Sequence, residues 1–151
     1  LECHGGNGFI EEHPMARLYR EAPLNGIWEG SGNLVALDVL RALRRHPEAL
    51  DVFLAEVALA RGTVSTLDAY VERLIDEAQR AADGDDSRAR RVAEMMTLAL
   101  QASLLVRFSP TSVADVFCQS RLDSDRSGTY GILPKGTDTR AILSRAWKEA
   151  A

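Results

Sequence analysis

Between Met95 and Val106 almost every side chain is apolar, and a helix that is apolar nearly all round must be surrounded by other elements. That segment is the later half of a helix predicted to open at Ser87 and to run from Arg88 to about Arg107. Its neighbours carry the 3.6-residue spacing of amphipathic helices. Leu50, Phe53, Leu54, Val57 and Ala58 define one, closed by Gly62 from the C′ side. Leu67, Tyr70, Val71, Leu74, Ile75, Ala78, Ala81 and Ala82 define the next, with Thr63 or Ser65 as cap and Asp83-Gly84-Asp85-Asp86 as its end. The chain therefore reads as all-α, a helical bundle built round residues 88–107.

Prolines and glycines set the other boundaries. Pro110 breaks the central helix, and Thr111 or Ser112 caps a helix with Val113, Val116 and Phe117 inward. Residues 128–136 hold too much Gly and Pro for a helix and are too few for a sheet, so an ordered loop is expected, pinned by Tyr130, Ile132 and Leu133. A last helix, capped by Thr137 or Asp138, is expected to bury Ile142, Leu143, Ala146 and Trp147. Toward the amino end, Gly5 to Gly8 form a turn, Pro14 starts a short helix through Leu18 and Tyr19, and Pro23 ends it. Arg17 and Arg20 share a face of that helix and read as solvated or paired with Glu21. Apolar positions 34, 35, 37, 39, 40 and 43 then give a helix with a broad buried face, stopping at Arg44-Arg45-His46 before Pro47.

With 151 residues, 46% hydrophobic and 26% charged, the chain is of single-domain size and ordinary globular composition. No run of eighteen apolar residues and no signal-peptide layout is present, so a cytoplasmic protein is expected. Cys3 and Cys118 lack paired-ligand spacing and read as two reduced thiols. His4, His13 and His46 fall on different segments, which predicts no metal site.

The candidate chemistry lies in Gly26-Ile27-Trp28-Glu29-Gly30-Ser31-Gly32-Asn33. The glycines allow close backbone approach, and Ser31 or Asn33 can cap the helix that follows. Glu29 then sits near the positive end of that helix beside the apolar face of Trp28, where desolvation raises a carboxyl pKa and the dipole lowers it. A carboxylate so placed can act as a base. Taken alone, the octapeptide fits the commoner case as well, a surface carboxylate complementing the helix dipole.

In order and spacing, Leu1-Glu2-Cys3-His4-Gly5-Gly6-Asn7-Gly8-Phe9, Pro14, Arg17-Leu18-Tyr19-Arg20-Glu21 and Ile27 to Asn33 resemble the carboxy-terminal signature of the flavin-dependent acyl-CoA dehydrogenases. Trp28 to Asn33, Leu37-Asp38-Val39-Leu40-Arg41, Ala114 to Cys118 and Tyr130 to Pro134 are most similar to the AidB-type, adaptive-response branch. The resemblance implies that residues 1–46 end the family's carboxy-terminal domain, with the active-site turn, and that 47–151 form an added AidB-type helical extension. It implies FAD as cofactor and an acyl-CoA substrate, with Glu29 taking the α-proton and Gly30 touching substrate. Ser31 and Asn33, in place of the family's threonine and glutamine, would contact the flavin. The segment matching Glu2, Gly5 and Gly6 reaches in that family across a subunit interface to the adenine dinucleotide part. Glu2 replaces a glutamine there, and a carboxylate near a pyrophosphate repels unless it points elsewhere. A homotetramer and an electron-accepting flavoprotein partner are also implied. Because Leu1 opens inside this signature without an initiating Met, a carboxy-terminal fragment of a longer protein, inactive alone, is expected.

The alternative partner is nucleic acid. Residues 1–87 carry 8 basic and 16 acidic groups, whereas 88–151 carry 10 and 6, and the AidB-type branch is associated with double-stranded DNA binding through its extra helices. Arg88, Arg90, Arg91, Arg140, Arg145 and Lys148 are the candidate phosphate contacts. The sequence holds no base-stacking aromatic row or nucleic-acid-binding motif, and an exposed arginine is by default a solvated one.

Overall fold

The computed structural model describes residues 1–123 and 129–147, and all regular structure among them is helical. There are seven α-helices: α1 (Pro14–Glu21), α2 (Gly32–Arg45), α3 (Glu48–Val57), α4 (Ser65–Ala82), α5 (Ala89–Phe108), α6 (Thr111–Arg121) and α7 (Thr139–Ala146). Short 3-10 segments at Glu2–Gly8, Ala22–Gly26, Ala58–Ala60 and Asp86–Arg88 link them. The all-α bundle is as the apolar spacing predicts. No helix among the described residues is long and apolar enough to cross a membrane.

Helix α5 is the axis, packing against α2, α3, α4 and α6. Ala99, Ala102 and Ser103 on it are fully buried, and such small side chains let neighbouring helices approach closely. Two clusters fill the interior. The larger joins Val57, Leu67, Tyr70, Leu74, Met95, Ala99, Cys118 and Leu122. The smaller joins Ala36 and Leu40 of α2 to Ala78 and Ala81 of α4 and Ala89 and Val92 of α5. Thus α2, which follows the turn at Glu29, is clamped to helices that lie beyond residue 47. Each fully buried leucine, such as Leu40 or Leu74, contributes about 1.5–3 kcal/mol.

Polar contacts reinforce the second cluster. Arg44, near the end of α2, donates to the Ala81 carbonyl at 2.6 Å and pairs with Asp86 at 2.7 Å. Glu77 of α4 receives Arg88 at 2.5 Å and Arg91 at 3.4 Å, and Arg88 also reaches Asp85 at 2.8 Å. The turn between α4 and α5 is thereby tied down beside the carboxyl end of α2.

Several caps differ from those expected. Neither Thr63 nor Ser65 caps α4, whose cap position is Val64; Asp68 in its first turn instead accepts from the Gly62 amide. Ser87 does not open α5, because Asp85 caps the 3-10 segment before it and Ser87 is the residue capped. Pro110 stands at the cap position of α6, without a side-chain acceptor from Thr111 or Ser112. Asp138 caps α7, accepting from the Ala141 amide at 3.0 Å. Arg17 pairs with Glu21, whereas Arg20 pairs with Glu11.

The carboxyl end also differs. Tyr130, Ile132 and Leu133 do not pin the loop, and Leu143 and Trp147 are not buried; Tyr130 is 92% and Trp147 80% exposed. The physical reason is occupancy. Ala114, Cys118 and Leu122 already close the larger cluster from the α6 side, so α7 is left resting on the outside of α6. Leu34 and Val35 are likewise half-exposed, because the first turn of α2 overhangs the bundle.

Candidate active site

Trp28 and Glu29 stand at the apex of a tight turn. The amides of Ile27 and Trp28 both donate to the Leu24 carbonyl, at 3.0 and 3.1 Å, and the Gly30 amide donates to Ile27 at 3.1 Å. Gly30 has φ +126°, a conformation that L side chains rarely adopt. It turns the chain into Ser31, whose extended backbone ends the loop and whose Oγ accepts from the Leu34 amide at 3.4 Å. Ser31 is therefore the cap of α2, and Asn33 lies within its first turn with an exposed side chain.

The turn forms one side of an open cleft of about 360 Å³, to which it contributes Asn25, Trp28, Glu29, Gly30 and Gly32. The opposite side comes from α5, as Arg90 and Ala93. Glu29 is exposed, and Trp28 beside it is 67% exposed, so this chain by itself supplies no apolar cover over the carboxylate. The local fold holds Glu29 at the cleft and leaves one side of it open.

Glu2, Gly5 and Gly6 do not line that cleft. They lie in the amino-terminal 3-10 segment, where Gly5 has φ +54° and a Cβ added at Gly5 or Gly6 would meet nothing within 4 Å. Gly8, by contrast, is locked, since a Cβ there would lie 2.4 Å from the Leu1 carbonyl oxygen. Gly5 and Gly6 thus face open space, with no neighbouring residue closing round them. Ser31 keeps its hydroxyl hydrogen to donate, because its oxygen is the acceptor in the cap, and Asn33 offers an amide. Donor groups at Ser31 and Asn33 are chemically compatible with a flavin, whereas the exposed carboxylate of Glu2 would repel its phosphates unless turned away.

Among the described residues, no group of three His, Cys, Asp or Glu could hold a metal ion. The His4 and His13 rings approach to 5.3 Å between centroids, tilted by 50°, away from Glu29's cleft. Both cysteines are free, Cys3 exposed and Cys118 buried.

The six basic candidates separate in space. Arg88 and Arg91 are spent on Glu77 and Asp85. Arg90 faces Glu29's cleft instead. Arg140 and Arg145 are exposed on α7, and Lys148 lies outside the described residues. Arg90 is the site residue that the sequence does not reveal, since nothing local relates it to the turn at Glu29.

Residues 1–44 match the family model described as acyl-CoA dehydrogenase, C-terminal domain. The chain is 32% identical over 124 residues to the putative acyl-CoA dehydrogenase AidB of Escherichia coli (strain K12), covering 82% of this chain and 22% of that protein. The chain belongs to the acyl-CoA dehydrogenase family. It is also 29% identical over 134 residues to acyl-CoA dehydrogenase family member 11 of Caenorhabditis elegans, covering 76% of this chain and 22% of that one. With 3-methylmercaptopropionyl-CoA dehydrogenase of Ruegeria pomeroyi it shares 35% identity over 85 residues, 55% of this chain and 14% of the relative. The chain thus spans about a fifth of the length of the first two relatives. The family match stops one residue short of the end of α2, while the similarity to AidB, over 124 residues, extends well into the later helices.

Proposed function

We propose that this chain carries the base of an FAD-dependent acyl-CoA dehydrogenase, which removes hydrogen from the α and β carbons of an acyl-CoA thioester. The observation that supports it most is the setting of Glu29. It is a carboxylate held at a cleft by a turn that only glycine at position 30 readily permits, inside the segment that matches the family.

The α-proton of a thioester is weakly acidic, so its removal needs a base within about 3 Å and exclusion of water. Glu29 accepts that proton. Gly30, bare of a side chain, lets the thioester reach the carboxylate, and α2, fixed through Ala36 and Leu40, keeps the turn from drifting. FAD, when bound, supplies the acceptor for the hydride that leaves the β-carbon. Ser31 and Asn33 would hold it by donating hydrogen bonds, while Gly5 and Gly6 would meet the phosphate-bearing part, on a second subunit of a homotetramer. An electron-accepting flavoprotein partner follows from the same reading. Since Glu29 is exposed here, this chain alone should not turn over substrate.

The test is Glu29→Gln in the flavin-loaded protein. The variant should keep its yellow colour and bind acyl-CoA while flavin reduction slows by roughly 10²–10⁴. An unchanged reduction rate removes Glu29 from the role of base.

A second reading, duplex DNA as partner, draws on the basic excess after residue 87. Arg140 and Arg145 on the exposed α7 are its uncommitted cations. Binding through phosphates would weaken steeply as salt is raised, and a salt-independent or undetectable signal sinks it.

A further inference from the structure

We propose that Arg90 is a specificity-determining residue of the Glu29 cleft, binding an anionic oxygen group of the substrate, carboxylate or phosphate, from the α5 side. The proposal rests on the Glu29 reading for the identity of the substrate as an acyl thioester.

Three arginines crowd the start of α5, and only one of them faces the cleft. Arg88 and Arg91, three residues apart, point to one face and are held by Glu77, with Asp85 as a second partner for Arg88. Arg90 lies off that face and makes no ion pair or hydrogen bond among the described residues. Its guanidinium rests against Gly32, where an added Cβ would lie 3.4 Å from one terminal nitrogen, 3.8 Å from Cζ and 3.9 Å from the other nitrogen. All three distances are close, so the planar fork lies broadside to that backbone.

No acceptor among the described residues rewards this placement. The first turn of α2 is the positive end of its dipole, which disfavours a neighbouring cation. Glu29 is the carboxylate that lines the same cleft, and Arg90 does not come within the 4.0 Å of an ion pair with it. An uncommitted guanidinium and an uncommitted carboxylate therefore face one open space of about 360 Å³. The carboxylate is free to accept a proton and the guanidinium is free to take an anion. Its fork of N–H donors matches a carboxylate or phosphate in a two-point contact. Because α5 lies beyond the family-matched residues 1–44, the later helices supply a wall of the site and its charge, and select among substrates there.

Arg90→Gln and Arg90→Lys in the flavin-loaded protein test this, with Glu29→Gln added when binding is measured so that no turnover interferes. The ligands are butyryl-CoA, S-butyryl-pantetheine, which lacks the nucleotide phosphates, and glutaryl-pantetheine, which adds an acyl carboxylate. Arg90→Gln should weaken binding of the anion-bearing ligand by about tenfold or more, with partial recovery in Arg90→Lys. The flavin reduction rate at saturating substrate should stay within about twofold, since binding and not chemistry is altered. A loss with butyryl-CoA but not with either pantetheine ester assigns the anion to the CoA phosphates. A loss with glutaryl-pantetheine but not butyryl-pantetheine assigns it to the acyl chain. Unchanged affinity for all three, or an equal loss for the uncharged S-butyryl-pantetheine, overturns the proposal. If Glu29→Gln alone fails to slow reduction, the base assignment falls while the Arg90 affinities still decide this inference.

Discussion

The Ser103 hydroxyl, fully buried on α5, donates a 3.1 Å hydrogen bond to the carbonyl of Val57, the last residue of α3. This buried polar contact ties the end of α3 to the central helix. Val57 is also the cap position of the 3-10 segment Ala58–Ala60, so the hydroxyl joins the chain where α3 tightens into that segment. Ser103→Ala should destabilise the fold by about 1 kcal/mol in urea unfolding, because the buried hydrogen bond between α5 and the end of α3 is lost. A loss below about 0.5 kcal/mol would show that another donor reaches the Val57 oxygen.

Gly30 and Ser31 act on the same turn by different means, so their variants should separate. Gly30→Ala forces a β-carbon onto φ +126° and should either cost about 1–3 kcal/mol or relax the turn. Relaxation would move Glu29 and slow flavin reduction. Ser31→Ala removes only the cap acceptor and should cost about 1 kcal/mol. Thermal unfolding together with reduction rates reads both. Equal rates in Gly30→Ala and the parent would mean that the turn does not position the base.

Glu77, whose side chain is 12% exposed, holds two arginines, and the turn between α4 and α5 depends on it. Glu77→Gln should loosen that turn, seen as faster amide exchange over residues 83–91, with α6 unaffected. The neighbouring Asp85 carboxyl is held below its ordinary 3.8, first by the Ser87 hydroxyl and then by Arg88. A depressed carboxyl stabilises the fold above its unfolded pKa and loses that contribution as pH falls through the folded one. Asp85→Asn should therefore lower stability near pH 7, where that contribution is fully present, and flatten the acid limb of the stability curve below about pH 4. A parallel acid limb in both proteins would refute this.

Burial raises the Cys118 thiol to about 11, with Asp115 adding to the effect, whereas Cys3 is exposed. Ellman's reagent at pH 8 should count one thiol in the folded chain and two in urea, because the thiolate is the reacting form. A folded thiol pKa raised from 9.0 favours the native state below that value. Its contribution drains away between about pH 9 and 11, so Cys118→Ala should blunt the alkaline loss of stability. Two fast thiols in the native protein would contradict the burial.

The sequence by itself determined the helices and their order. The 3.6-residue apolar spacing, Pro14, Pro110 and Gly62 act within a few residues of themselves, and the apolar run from Met95 to Val106 placed α5 at the centre. The same is true of the turn at Glu29, since Gly30 and the Ser31 cap are set by adjacent backbone. Only the tertiary structure decided which apolar faces find a partner. Leu34 and Leu143 are as apolar as Leu40 or Leu74, and with Tyr130 and Trp147 they stay outside because the space beside them was filled by other helices or by none. It alone also decided that Arg88 and Arg91 meet Glu77 while Arg90, between them in the chain, turns to the cleft at Gly32. Charge pairing between separate helices depends on how those helices cross, and no spacing along the chain encodes that.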